Sequence, residues 1–167
     1  KTGLRPGEVA ALQWSDITSK SGSLAVTHSS HSIRGGGVEL RPPKTECSRR
    51  MVPIAADLEY VLQDWRKTQA EIGISPFVIT VEGRPLRRDT FTQAFGHPAR
   101  KCNIEATPHG LRHTFATALL EDGKPTAHVA ELLGDSEATV ANVYSHVLRP
   151  KVELREAIQA AIPINLP

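Results

Sequence analysis

The chain has 167 residues, of which 40% are hydrophobic and 23% charged, with a formal net charge of +2. That balance fits one well-buried domain and excludes a disordered or low-complexity segment. No apolar run approaches the roughly 20 residues of a membrane span, so a cytoplasmic protein without a membrane partner is expected.

The near-neutral total hides local clusters. Residues 1–50 carry eight Lys/Arg against four Asp/Glu, and residues 84–101 carry five against one. Residues 51–83 are acidic, with five against two. Basic clusters on a near-neutral chain suit a polyanion held on one face. Cys47 and Cys102 have no metal-ligand spacing and are expected as reduced thiols.

In chain order, Thr2-Gly3-Leu4-Arg5-Pro6-Gly7-Glu8 reads as a turn passing into a helix with Pro6 at its first position. Residues 24–28, 38–40 and 51–54 read as strands, with Gly35-Gly36-Gly37 as a turn. Residues 44–50 read as a polar hairpin tip between the last two strands. Leu58, Val61, Leu62 and Trp65 give the spacing of a core-facing helix beginning near Ala56. Phe77-Val78-Ile79 reads as an extended segment, and residues 88–101 as a helix with Asp89 a candidate N-cap. Three compact helices follow over 111–121, 126–133 and 137–147, and an amphipathic one over about 151–161. The fold class expected is α+β, mostly helical, with a small antiparallel sheet.

The chemistry lies in a few residues. His109 and Arg112 are three apart, a spacing that can share a helical face or straddle a helix start. A guanidinium offers a planar donor fork suited to two non-bridging phosphate oxygens. Tyr144 follows 32 positions after Arg112. An arginine-held phosphate beside a tyrosine hydroxyl is the material of covalent phosphoryl transfer. His109 and His113 at i, i+4 would suit zinc, but no third ligand and no HExxH glutamate accompany them, so no metal is expected.

Four ordered blocks carry a resemblance. Thr2-Gly3-Leu4-Arg5-x-x-Glu8, Lys44 ahead of Ser48-x-Arg50-x-Val52-Pro53, His109-x-x-Arg112-His113 and Tyr144-x-His146 resemble the catalytic domain of the tyrosine recombinases, the phage-integrase family. The resemblance implies a site-specific recombinase or integrase that cuts and rejoins DNA through a 3′-phosphotyrosyl intermediate, with no cofactor. Arg5 and Arg112 would flank the scissile phosphate, Tyr144 would attack it, and His109 would act as base. Lys44 would protonate the leaving 5′-oxygen, and Glu8 would orient an arginine. His113 is expected as a buried, hydrogen-bonded structural residue.

The resemblance further implies that residues 1–167 are a C-terminal catalytic fragment, lacking a core-binding domain and the first catalytic-domain helix. The full-length partners would be double-stranded DNA and further copies, as a tetramer on DNA. The helix over 151–161 would dock on a neighbouring protomer or on its own domain. Two rivals are a catalytically impaired DNA-binding relative and a type IB topoisomerase-like enzyme.

One position departs from the pattern. After Leu132-Leu133-Gly134 the family usually presents His or Trp to the phosphate, and this chain has Asp135. An inward carboxylate would repel the phosphate; an outward one would cap the helix over 137–147. The outward, capping placement is the one expected.

Overall fold

The computed structural model describes residues 1–19, 21–43, 45–145 and 147; Lys44, His146 and the helix expected over 151–161 lie outside them. Helix α1 (Pro6–Ala11) starts with Pro6 at its first position, and the Glu8 carboxylate accepts from the Arg5 backbone N–H at 2.8 Å. Proline has no N–H to leave orphaned there, and the carboxylate satisfies the donor that the helix start leaves free.

A 3-10 turn (Trp14–Asp16) leads into β1 (Ile17–Thr18), which pairs antiparallel with β2 (Ser23–Val26). Two further strands, β3 (Ser29–Ser32) and β4 (Val38–Arg41), pair with each other across the glycine turn. Strand β5 (Arg50–Pro53) returns to β2, giving a three-stranded sheet in the order β1-β2-β5. The segment 42–49 therefore joins two ladders and does not close a hairpin between adjacent strands, as the sequence had suggested. Strand β3, Ser-Ser-His-Ser, carries no apolar alternation that would mark it in the sequence; it is held by Ser30, fully buried, whose hydroxyl donates to the Leu86 carbonyl at 2.6 Å.

Helix α2 (Ala56–Ile72) packs on the sheet through Leu58 and Leu62 and buries Gln69, while Val61 is 58% exposed and Trp65 40%. The expected four-residue core face is thus too wide. The contact line steps 58, 62, 65, 69, a narrow stripe that leaves Val61 on the flank. Gln69 earns its burial by hydrogen bonding: it accepts from the Trp14 indole at 2.7 Å and donates to the Phe77 carbonyl at 3.1 Å. The extended segment at 77–79 contains the Gln13–Phe77 bridge, and the short hairpin β6 (Thr80–Val81) and β7 (Arg84–Pro85) follows.

Helix α3 (Arg88–Lys101) has Arg87 as its N-cap residue, with Asp89 inside the first turn. Asp89 therefore does not cap; its carboxylate lies near the positive end of the helix dipole. Helix α4 (Pro108–Glu121) begins three residues earlier than periodicity indicated, because Thr107 caps it at 2.9 Å from the Gly110 N–H and Pro108 occupies the first position. Helix α5 (Thr126–Leu133) and helix α6 (Glu137–Val143) complete the described elements.

Two cores result. Leu4, Leu24, Val26, Val52 and Ile54 form one beneath the sheet. Ala116, Leu120, Val129, Ala130, Leu133, Val140 and Tyr144 form the other among α4, α5 and α6. The candidate site lies along their seam.

Candidate active site

The C-terminus of α5 organises the site. A helix leaves its last four carbonyls without intrahelical partners. Here the Gly134 and Asp135 N–H groups return to Glu131 and Ala130, a Schellman closure requiring Gly134 at φ 66°. The next three carbonyls each receive a different arginine. Arg50 Nε donates to Leu132 at 2.6 Å, Arg112 Nη2 to Leu133 at 2.9 Å, and Arg5 Nη2 to Gly134 at 3.0 Å. Cations belong at this end of a helix dipole, so one short helix gathers side chains from α1, β5 and α4.

Each arginine has a second anchor. Arg112, buried on α4, donates through Nη1 to the Gly3 carbonyl at 2.6 Å. Gly3 must be glycine: its φ is 63°, and a Cβ there would meet the Phe115 ring at 2.5 Å. Arg50 is inward because β5 alternates, Arg50 and Val52 in, Met51 and Pro53 out. Its Nη2 donates to Glu8 at 2.8 Å and its Nη1 to the other Glu8 oxygen at 3.1 Å. That same oxygen accepts from Arg5 Nη1 at 2.9 Å. Burial works to raise the Glu8 pKa, but the hydrogen bonds and charge of Arg50, with those of Arg5, hold it below the usual carboxylate range. Among the described residues no buried side-chain nitrogen or oxygen lacks a partner.

Asp135 points inward. One of its oxygens is held by Arg5 and the other accepts from Arg112 Nη2 at 2.6 Å. The cap of α6 is Ser136, whose hydroxyl accepts from the Thr139 N–H at 3.1 Å. The expectation that Asp135 caps this helix is therefore overturned. The buried guanidinium of Arg112 and the part-exposed one of Arg5 converge on this carboxylate and recruit it, while the adjacent serine supplies the cap. Three guanidiniums (Arg5, Arg50, Arg112) against two carboxylates (Glu8, Asp135) leave the cluster one positive charge.

Tyr144 follows the last residue of α6, its ring buried in the helical core. Its hydroxyl lies 2.9 Å from His113 Nδ1, and His113 Nε2 lies 2.9 Å from His109 Nε2. The tyrosine thus meets His113 first, with His109 one imidazole further on. Burial pushes the Tyr144 phenol up; Arg112 opposes this and Asp135 adds to it. Burial lowers the His113 pKa, with His109 and Arg112 acting the same way.

Arg5, His109, Arg112 and Asp135 line a cleft of about 590 Å³ whose walls include His31 of β3 and Arg88 of α3. The structure thus brings together Arg5, Glu8, His109, Arg112, His113, Asp135 and Tyr144, while Lys44 lies outside the described residues. Arg50 was not singled out from the sequence, although the Ser48-x-Arg50-x-Val52-Pro53 block contains it. The alternation of β5 was the available signal: Val52 inward implies Arg50 inward, and a buried arginine needs a carboxylate.

The phage integrase family profile matches residues 1–150. The tyrosine recombinase XerC of Pediococcus pentosaceus is 31% identical over 161 residues, covering 91% of this chain and 48% of that protein. The ICEBs1 integrase of Bacillus subtilis is 31% identical over 158 residues, covering 87% and 42%. The chain thus spans about half the length of these curated relatives. Among solved structures, the Tn1549 transposon integrase in complex with transposon right end DNA superposes with a TM-score of 0.78 at 23% identity, over 98% of this chain and 56% of that one. The lambda integrase catalytic core gives 0.52 at 19% identity, over 80% and 72%. With its ordered arginine, histidine and tyrosine blocks on this fold, the chain belongs to the phage integrase family.

Proposed function

We propose that the protein is a site-specific DNA recombinase of the integrase type, and that this chain is its strand-cleaving and rejoining domain. One observation carries the reading: Arg5 and Arg112, from two separate helical segments, converge on the two oxygens of one carboxylate. That is the arrangement needed to hold two non-bridging oxygens of a phosphodiester and to neutralise charge developing there in the transition state. Tyr144 is the nucleophile; its attack on phosphorus would conserve the diester energy in a phosphotyrosyl link. Lys44 supplies the proton to the leaving 5′-oxygen, since an ammonium can give up a proton and a guanidinium cannot. Glu8 and Arg50 hold Arg5 in place from behind.

Double-stranded DNA is the partner, bound across the cleft and its basic rim, in a cytoplasmic protein that works as a tetramer on DNA. A core-binding domain preceding this chain would close around the duplex. Among the described residues no helix is long and apolar enough to cross a membrane. The test is a pool of nicked duplexes with randomised centres, from which covalent protein–DNA adducts are captured. The unaltered protein should form adducts, and Tyr144→Phe should abolish them while still binding DNA, because only the hydroxyl is lost. Adducts at the same yield in both would overturn the assignment.

A second reading has its own observation. Asp135 already occupies the arginine pair, which favours a relative that binds DNA with impaired cleavage. In that case the pool yields bound DNA and no adduct.

A further inference from the structure

The proton of Tyr144 needs a route out. The Tyr144 ring is 5% exposed and is not among the residues lining the cleft, whereas His109 does line it. Between them stands His113, one helical turn after His109 on α4. The two imidazoles meet edge to face with centroids 4.5 Å apart, and His113 faces the phenol with its Nδ1 and His109 with its Nε2. Two nitrogens in hydrogen-bond contact must be one donor and one acceptor. If the phenol donates to Nδ1, His113 carries its proton on Nε2 and His109 carries its own on Nδ1.

We propose that His113 is a further catalytic residue, taking the proton of Tyr144 at Nδ1 while passing its Nε2 proton to Nε2 of His109. The inference rests on Tyr144 being the nucleophile. The Tyr144 Oη–P bond forms as the P–O5′ bond breaks, and one proton leaves the phenol. After two linked transfers His109 is an imidazolium and His113 is neutral again with its proton on Nδ1. The departing O5′ takes its proton from a separate acid, the role given to Lys44. Rejoining runs the same transfers backwards.

Three features support this route. A phenol held up by burial needs its acceptor in direct contact. Burial, His109 and Arg112 all lower the His113 pKa, which favours the neutral ring whose Nδ1 can accept. The charge ends on His109, in the cleft beside Arg5 and Arg112, where it would face the phosphate. The charged and titratable groups that act on the relay are Arg112 and Asp135 together with the three members themselves.

Nitrogen-15 spectra of histidine-labelled protein test the network without DNA. His113 should be the Nε2–H tautomer and His109 the Nδ1–H tautomer. A neutral His113 bearing its proton on Nδ1 overturns the relay. The nicked-duplex pool tests the chemistry. In His113→Asn the amide oxygen can still accept from the phenol but cannot hand a proton on. Adduct formation should fall about 10²-fold or more, with DNA binding unchanged and the pH profile of the rate altered. If His113→Asn keeps pace with the unaltered protein, His113 only positions Tyr144 and the relay is wrong. If the unaltered protein forms no adduct, the strand-cleavage reading fails and the relay fails with it, an outcome distinct from the previous one.

Discussion

Asp135 is the residue on which the site turns. Its two oxygens stand where the chemistry asks for two phosphate oxygens, so the resting molecule carries its own anion between Arg5 and Arg112. A phosphate must displace that carboxylate or share the guanidiniums with it, and like charges at contact distance repel. Asp135→Asn should therefore open the clamp to external anions: sulfate should raise its unfolding temperature more than that of the parent, by the linkage of ligand binding to stability. The same change should bring the Tyr144 pKa down, because the Asp135 charge is one of the influences raising it; phenolate absorbance in a pH titration reads this directly. An unchanged Tyr144 titration would separate the two residues electrostatically. Adduct formation should rise about tenfold or more, since one phosphate donor freed for the transition state is worth at least that.

Glu8 makes the complementary case. It is 5% exposed and joins Arg50 to Arg5, so removing its charge strands a buried guanidinium. Glu8→Gln should cost roughly 3 kcal/mol in denaturant unfolding. A depressed carboxylate pKa contributes stability that is present above the unfolded-state value and lost as pH falls through the folded-state value. The parent should thus lose stability in the acid range below the ordinary glutamate pKa, and Glu8→Gln should show a shallower loss there.

Among the elements, α5 sets the positions of the others. Its Schellman closure uses the carbonyls of Ala130 and Glu131, which leaves those of Leu132, Leu133 and Gly134 to the three arginines. Gly134 is required twice over, by its left-handed backbone and by space, since a Cβ would meet Arg50 Nη1 at 2.7 Å and the Cys47 carbonyl at 3.1 Å. Gly134→Ala should cost about 1–3 kcal/mol from the backbone conformation alone. It should also displace Arg50, so DNA adduct formation should fall further than the stability loss explains. Thermal unfolding beside the adduct assay checks both. The starts of α1 and α6 were legible in the sequence, but the cap of α6 is Ser136 in place of Asp135, and its last residue is Val143 and not Val147. The Thr107-Pro108 start of α4 lies three residues before the apolar periodicity begins. The pairing of β3 with β4 was not, since four polar residues form a strand only when Ser30 finds Leu86, 56 positions away.

At the scale of the molecule, the site is a seam between a sheet-based core and a helical one, and part of the basic charge is held inside that seam. Of the basic residues in 1–50, Arg5 and Arg50 are spent on internal carboxylates and Arg41 pairs with Glu39. The exposed Arg84, Arg87, Arg88, Arg100 and Lys101 are the stronger candidates for contacts to the phosphate backbone. Arg88, which lines the cleft, should reduce the slope of log K against log salt by about one when changed to alanine, measured on generic duplex DNA. An unaltered slope would place the duplex elsewhere.

The amino-acid sequence by itself determined the α+β class, the starts of α1, α2, α3, α5 and α6 and the identity of the arginine, histidine and tyrosine blocks, because these depend on local periodicity and spacing. Only the tertiary structure decided which groups meet. Capping was as good a local use for Asp135 as any, until Arg5 and Arg112, 130 and 23 positions away, converged on it. Likewise His109 and His113 share a helical face, and it is the return of α6 that puts His113, not His109, against the hydroxyl of Tyr144. Contacts across such separations are set by how two cores dock, and two charge-assisted hydrogen bonds to Asp135 outweigh a helix cap that the neighbouring Ser136 can supply.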